Sequence, residues 1–382
     1  MSMTYRIVDA DTHVNPPADF WQDYLPQKFR PLAPRVEPGE DADYVVFEGK
    51  RKKLNVLGAQ AGHKSEDYKA FGRKSETLAG GWEAKARLED MDRDGMDASV
   101  IYGGGPLGSS NVELFMASFE AYNRWLADFC SHAPQRLAGI AYIPMTEVQE
   151  SVDLMRRMAK IGLKGVNIPA FPMSIEAMGK GAITGGQMLA LTGDPNGPRK
   201  YDDAEFYPFW EAAIELGMTV NIHLGARGAR LEPANVFMPD LVMSKLTMAE
   251  PIAIMIFGGV FQRYPELKLV SVESGVGWFS WMTEYMDSIW TRHRHWTKSV
   301  LTKPPSFYME QNVYGSFIHD RTGVLNRNLP GGKNIMWSSD YPHSETSYPN
   351  SRDVIARTFA GVPEDEKNRI ICGLAKELYH LG

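Results

Sequence analysis

Two cysteines in 382 residues, Cys130 and Cys372, cannot build a disulfide framework, so this fold rests on its core and suits a reducing compartment. Positive charge is also short. Lys and Arg number 41 against 47 Asp and Glu, and the resulting net charge of −6 offers no field for gathering nucleic acid or anionic lipid. No uninterrupted apolar run approaches the roughly 20 residues that span a bilayer. The opening Met1-Ser2-Met3-Thr4-Tyr5-Arg6 has none of the apolar stretch of a secretory signal. A cytoplasmic protein with neither a nucleic-acid nor a membrane partner is expected. Fixed-period repeats and low-complexity tracts are missing as well, which excludes solenoids and arrays.

What the chain does have is ordinary globular material, 43% hydrophobic and 23% charged, enough for one large core. Short β-prone runs at 5–8, 98–102, 138–143, 165–168, 218–222, 268–272, 313–318 and 334–338 are each followed by a helix-compatible stretch. Leu114, Phe115, Phe119, Tyr122, Trp125, Leu126 and Phe129, for example, form one broad face at helical spacing. Eight such alternations predict an α/β fold, a TIM-type (β/α)8 barrel in a single domain spanning 1–382. Two stretches break the alternation, at about 15–82 and 171–203, and read as long insertions after strand ends. Such loops serve as active-site cover or subunit contact. The first carries Phe20, Trp21, Tyr24, Leu25, Phe29, Tyr44, Phe47 and Tyr68, which motivates self-association or pairing with a related subunit.

Barrel enzymes place their chemistry where strands end, so the polar residues there are the candidates. The first run leads into Asp9-Ala10-Asp11-Thr12-His13, where alternation would put Asp9, Asp11 and His13 on one side. The fifth ends at His223, the sixth at Glu273, and the eighth at Asp340 with His343 close behind. Acids and imidazoles from four strands converging on one mouth would suffer desolvation and like-charge costs unless a cation sat among them. A divalent metal is expected, one ion or two. Arg227 and Arg230, just past His223, could clamp a substrate carboxylate by paired hydrogen bonds. His293 and His295, two apart on a helical stretch, would face apart and read as a solvated surface.

Val8-Asp9-Ala10-Asp11-Thr12-His13, Arg87-Leu88-Glu89-Asp90-Met91-Asp92, Gly162-Leu163-Lys164-Gly165-Val166, His223, Val272-Glu273-Ser274-Gly275 and Ser339-Asp340-Tyr341-Pro342-His343 together resemble the amidohydrolase-related family. That branch includes aminocarboxymuconate-semialdehyde decarboxylase and other aromatic-acid decarboxylases. The resemblance implies metal binding by Asp11, His13, His223 and Asp340, with Glu273 where the family often has a water-activating histidine. The leading expectation is hydrolysis or non-oxidative decarboxylation of a small carboxylate-bearing substrate with zinc, iron or manganese, with Glu273 or Asp340 shuttling a proton and His343 as a further catalytic candidate able to complete a second metal position. The chain departs in having Asp11-x-His13 for the usual His-x-His and in Glu273 itself. The added negative charge keeps two alternatives open. One is a dinuclear iron or Mn/Fe oxygen-activating hydroxylase component, similar to that of 2-aminoisobutyrate monooxygenase, and the other is a non-catalytic subunit of a hetero-oligomer.

Overall fold

The computed structural model describes residues 5–17, 19–174, 190–224 and 227–382. Eight strands form one parallel sheet in chain order: β1 (Val8–Val14), β2 (Ala98–Gly103), β3 (Leu137–Tyr142), β4 (Gly165–Ile168), β5 (Thr219–His223), β6 (Leu269–Val272), β7 (Val313–Phe317) and β8 (Ile335–Trp337). Helices cover the outside, so strands such as Ala98–Tyr102 are buried along their length and read as continuous apolar runs. The helix Val112–Ser131 illustrates the packing: Asn111 caps its start by accepting from the Leu114 N–H, and Asn123 exchanges hydrogen bonds with the Tyr142 backbone to pin it to β3. No described helix is long and apolar enough to cross a membrane.

The sheet becomes a barrel where its last strand returns to its first. The Asp340 N–H donates to the Asp11 carbonyl at 3.0 Å, and the His13 N–H donates to the Tyr341 carbonyl at 2.6 Å. Closure is therefore made by the same residues that the sequence marks for chemistry. Any shift of the seam would move their side chains.

All eight expected strands overlap the observed ones, the first only at Val8, because the observed strand lies further along the chain. The sequence reading places the β-prone run at 5–8 and takes 9–13 as its extended end. In the fold the strand continues through Asp9, Asp11 and His13, all buried.

The insertion at 15–82 has structure of its own. It contains a helix at Phe20–Tyr24 and an antiparallel sheet of Arg35–Pro38, Asp43–Phe47 and Lys50–Lys53. Phe20, Trp21, Leu25 and Phe29 are buried, with Phe20 against Trp125 at 5.4 Å and the Tyr24 hydroxyl donating to Asp128 at 2.7 Å. The chain covers these residues itself, which removes most of the motive for a partner there. Tyr44, Phe47 and Tyr68 remain partly exposed. Of the insertion at 171–203, residues 175–189 lie outside the described residues.

Candidate metal centre

β1 supplies two of the donors and withholds a third. Between Asp9 and Thr12 it carries one residue more than β2, whose Ser99 and Ile101 pair with those two positions. This bulge breaks the simple alternation and re-aims the side chains beyond it. Asp9, expected beside Asp11 and His13, instead faces a small internal cavity with Thr12, Arg87 and Ser339, and its Oδ1 accepts from the Ser339 N–H at 2.8 Å. Asp11 and His13 reach the barrel mouth.

There two donor groups overlap: Asp11, His13, His223 and Glu273 form one, and His13, Glu273, Asp340 and His343 the other. Within each, the ligand atoms lie within 4.8 Å of one another. His13 Nε2 is 3.0 Å from Asp340 Oδ1, 3.3 Å from Asp11 Oδ1 and 3.7 Å from Glu273 Oε2. His223 Nε2 is 3.3 Å from Glu273 Oε2 and 3.5 Å from Asp11 Oδ1. The His343 ring stacks on His13 at 3.9 Å, with its Nδ1 2.9 Å from Asp340 Oδ1.

These approaches are close, yet they are not directed hydrogen bonds. Both carboxylate oxygens of Asp11 and of Asp340, Nε2 of His13 and of His223, and Oε2 of Glu273 are buried without a hydrogen-bond partner. Buried polar atoms are normally paired, so a ring of orphans aimed at a common centre fits a cation. Oxygen and imidazole donors suit zinc, manganese or iron.

Electrostatics agree with the crowding. Burial alone would raise Asp11, but the His13 and His223 imidazoles outweigh it and hold the carboxyl below its ordinary range. Burial would lower His13, yet Asp11 and Asp340 push it up to about 10. Asp340 is held down against burial by His343 and His13. Glu273 and Asp340 also adopt left-handed backbone, with φ of 55° and 58° shortly after β6 and β8. Non-glycine residues seldom adopt this backbone, although Glu48, Met145, Leu224, Lys298 and His380 do so elsewhere in the chain.

Two charged residues beside the donors, Lys245 and Glu345, are not foreshadowed in the sequence. Lys245, near the end of the helix Phe237–Leu246, puts Nζ 2.6 Å from Glu273 Oε1 and 3.3 Å from Glu345 Oε2. Burial would lower Lys245, but Glu273, Glu345 and Asp340 hold it above its ordinary value. A lysine in the last turn of a helix is common for dipole reasons, so nothing in its spacing marks it. Arg87 stands out in the sequence only as part of a family motif. It is fully buried and donates to Gly80, to Thr12 Oγ1 and to the His13 carbonyl, tying β1 to the insertion.

A model of the amidohydrolase family matches residues 8–381. The chain belongs to the amidohydrolase family. It is 25% identical over 271 residues to 2-amino-3-carboxymuconate-6-semialdehyde decarboxylase of Dictyostelium discoideum, covering 68% of this chain and 67% of that one. Gamma-resorcylate decarboxylase of Polaromonas sp. is 22% identical over 315 residues, with 77% and 86% covered. Among solved structures, an amidohydrolase of Mycobacterium avium subsp. paratuberculosis K-10 superimposes with a TM-score of 0.73 at 20% identity over the full length of both chains. The manganese complex of 5-carboxyvanillate decarboxylase from Novosphingobium aromaticivorans superimposes with a TM-score of 0.64 at 17% identity, again over both full chains. These likenesses establish the barrel fold, and membership of the amidohydrolase family makes the chain a metal-dependent enzyme.

Within this amidohydrolase the remaining candidates have other partners or face solvent. Arg230 donates through Nε and Nη2 to Asp240 at 2.6 and 3.1 Å, and Arg227 lies 3.9 Å from the same carboxylate. Both arginines are more than half exposed. His293 and His295 are exposed, in keeping with a solvated face. The first insertion does reach the site. A Cβ added to Gly58 would lie 3.3 Å from the His343 ring, and the Asn15 amide donates to the Gly58 carbonyl at 2.7 Å, so this loop covers the mouth beside His343.

Proposed function

We propose that this amidohydrolase removes carbon dioxide, without oxidation, from a small aromatic or muconate-type carboxylic acid. A divalent ion would be held by Asp11, His13, His223, Asp340 and one oxygen of Glu273. The observation that carries the reading is the ring of buried, unpartnered donors at the barrel mouth. The decarboxylase names of the relatives supply the substrate class. Bound there, the ion would act as a Lewis acid that polarises substrate oxygens.

The protein's own groups then have separable tasks. Asp11 and Asp340 supply two negative charges that match a divalent ion. His343, stacked on His13 and partly exposed at the mouth, is placed to deliver a proton. As the C–C bond to the carboxylate breaks, its electron pair stays on the substrate carbon, that carbon takes the His343 proton, and carbon dioxide leaves. Water then restores the proton. Arg227 and Arg230 would engage the substrate carboxylate only by exchanging it for Asp240.

The test is release of carbon dioxide from 2,6-dihydroxybenzoate, 5-carboxyvanillate and 2-amino-3-carboxymuconate semialdehyde by protein loaded in turn with manganese, zinc and iron. Metal-dependent release from any of them supports the reading. Hydrolysis of amide or ester analogues without decarboxylation would move the assignment to a hydrolase. The overlap of the two donor groups at His13 and Glu273 also favours a second reading, an oxygenase holding two ions. Substrate-dependent oxygen consumption by iron-loaded protein would replace the decarboxylase assignment with that one.

A further inference from the structure

We infer that Lys245 is a positioning residue that confines Glu273 to one-oxygen ligation and thereby limits the centre to a single divalent ion. The inference rests on the metal reading above and concerns how that centre is set up. Three buried carboxylates meet here, one more than the charge of one divalent ion requires, and the partly exposed Glu345 beside Lys245 adds to the excess. The surplus has two remedies, a second ion or a fixed cation, and the chain places a fixed cation. Lys245 Nζ lies 2.6 Å from Glu273 Oε1, while Glu273 Oε2 points at His13 and His223 and has no hydrogen-bond partner. One oxygen is thus spent on the ammonium and the other is offered to the centre.

The position of the ammonium matters as much as its charge. A second ion in the group of His13, Glu273, Asp340 and His343 would share Glu273 with Lys245, and like charges so close in a largely buried pocket repel strongly. Lys245 is held from the far side by Glu345 at 3.3 Å, on the segment after β8. The lysine is therefore braced across the mouth between Glu273, which follows β6, and Glu345. Its side chain is only 20% exposed, so solvent does little to weaken the arrangement.

Metal content decides the matter without reference to turnover. Wild type, Lys245→Met, Lys245→Arg and the double variant Lys245→Met with Glu273→Gln are depleted, titrated with Mn2+ alone and analysed for bound ion, with circular dichroism to confirm folding. Wild type should bind one Mn2+ per chain and Lys245→Met should approach two. Lys245→Arg, which keeps the charge, should remain at one. The double variant should fall back to one or fewer, because the lysine acts through Glu273. Two ions in wild type, or a folded Lys245→Met that matches wild type in both stoichiometry and affinity, would overturn the inference while leaving the metal reading in place. Should Lys245→Met not fold, Lys245→Gln carries the same two outcomes. A wild type that binds no divalent ion would overturn the metal reading itself, and this inference with it.

Discussion

The two halves of the donor ring are built differently. His13 and His223 lie on paired strand, in β1 and β5, and Asp11 lies in the β1 bulge with its carbonyl held by the Asp340 N–H at the seam. Glu273, Asp340 and His343 lie just past strand ends, two of them in left-handed backbone, and depend on tertiary partners such as Lys245 and the Gly58 loop. A strand-borne donor is rigid and reports only its ligand role. A loop-borne donor can be tuned by what packs on it, and the proposed proton transfer and charge balance would fall on that side. On the proposed reading both halves would hold the ion, and the loop half would also set what is done with it.

Removing one histidine from each half is the severest way to break this contrast. His223→Ala should weaken metal affinity by more than about 100-fold, since even supporting residues of metal sites cost 10- to 100-fold. Its circular dichroism should stay native, because a rim ligand adds little to the core. A variant that keeps its metal would take His223 out of the centre. His343→Ala should behave in the opposite way, keeping most of its metal while kcat falls by about 100-fold, the usual size of a lost general acid. If both variants lose metal equally, the division of labour fails.

A subtler difference lies in the cover over the loop half. Lys74 donates to the Asn15 carbonyl at 2.6 Å and sits 3.8 Å over the Trp82 ring, and burial pulls its ammonium down from 10.5 to about 8. The folded state thus disfavours the charged form. That cost is fully present below pH 8 and is relieved as pH rises from 8 toward 10.5. Wild type should accordingly gain stability relative to Lys74→Met across that window, read as urea midpoints at about pH 7, 8.5 and 10. A constant difference would mean that Lys74 titrates normally in the fold. The smallest effect is expected at Arg230, which is exposed and engaged by Asp240. Arg230→Ala should raise KM by less than about fivefold, in line with the weakness of exposed ion pairs. A larger rise with unchanged kcat would promote Arg230 to a true carboxylate clamp.

The sequence by itself determined the barrel and most of the donor set. Periodicity survives in a linear reading because a strand buried on both faces is an apolar run wherever it packs, and polar residues at strand ends must gather at one mouth once the sheet closes. Asp11, His13, His223, Glu273 and Asp340 were legible for that reason, aided by the family resemblance. The extended run from Asp9 to His13 was legible too, as the end of the first strand. The aim of Asp9 was decided by a one-residue bulge, visible only against the register of β2. Lys245 and Glu345 lay further out of reach. Lys245 is 28 residues from Glu273 and 100 from Glu345, on a helix whose lysine looks like any other surface cation. An ion pair between distant segments leaves no periodic trace, since it is selected by distance in space, and only the closed barrel brings those segments together.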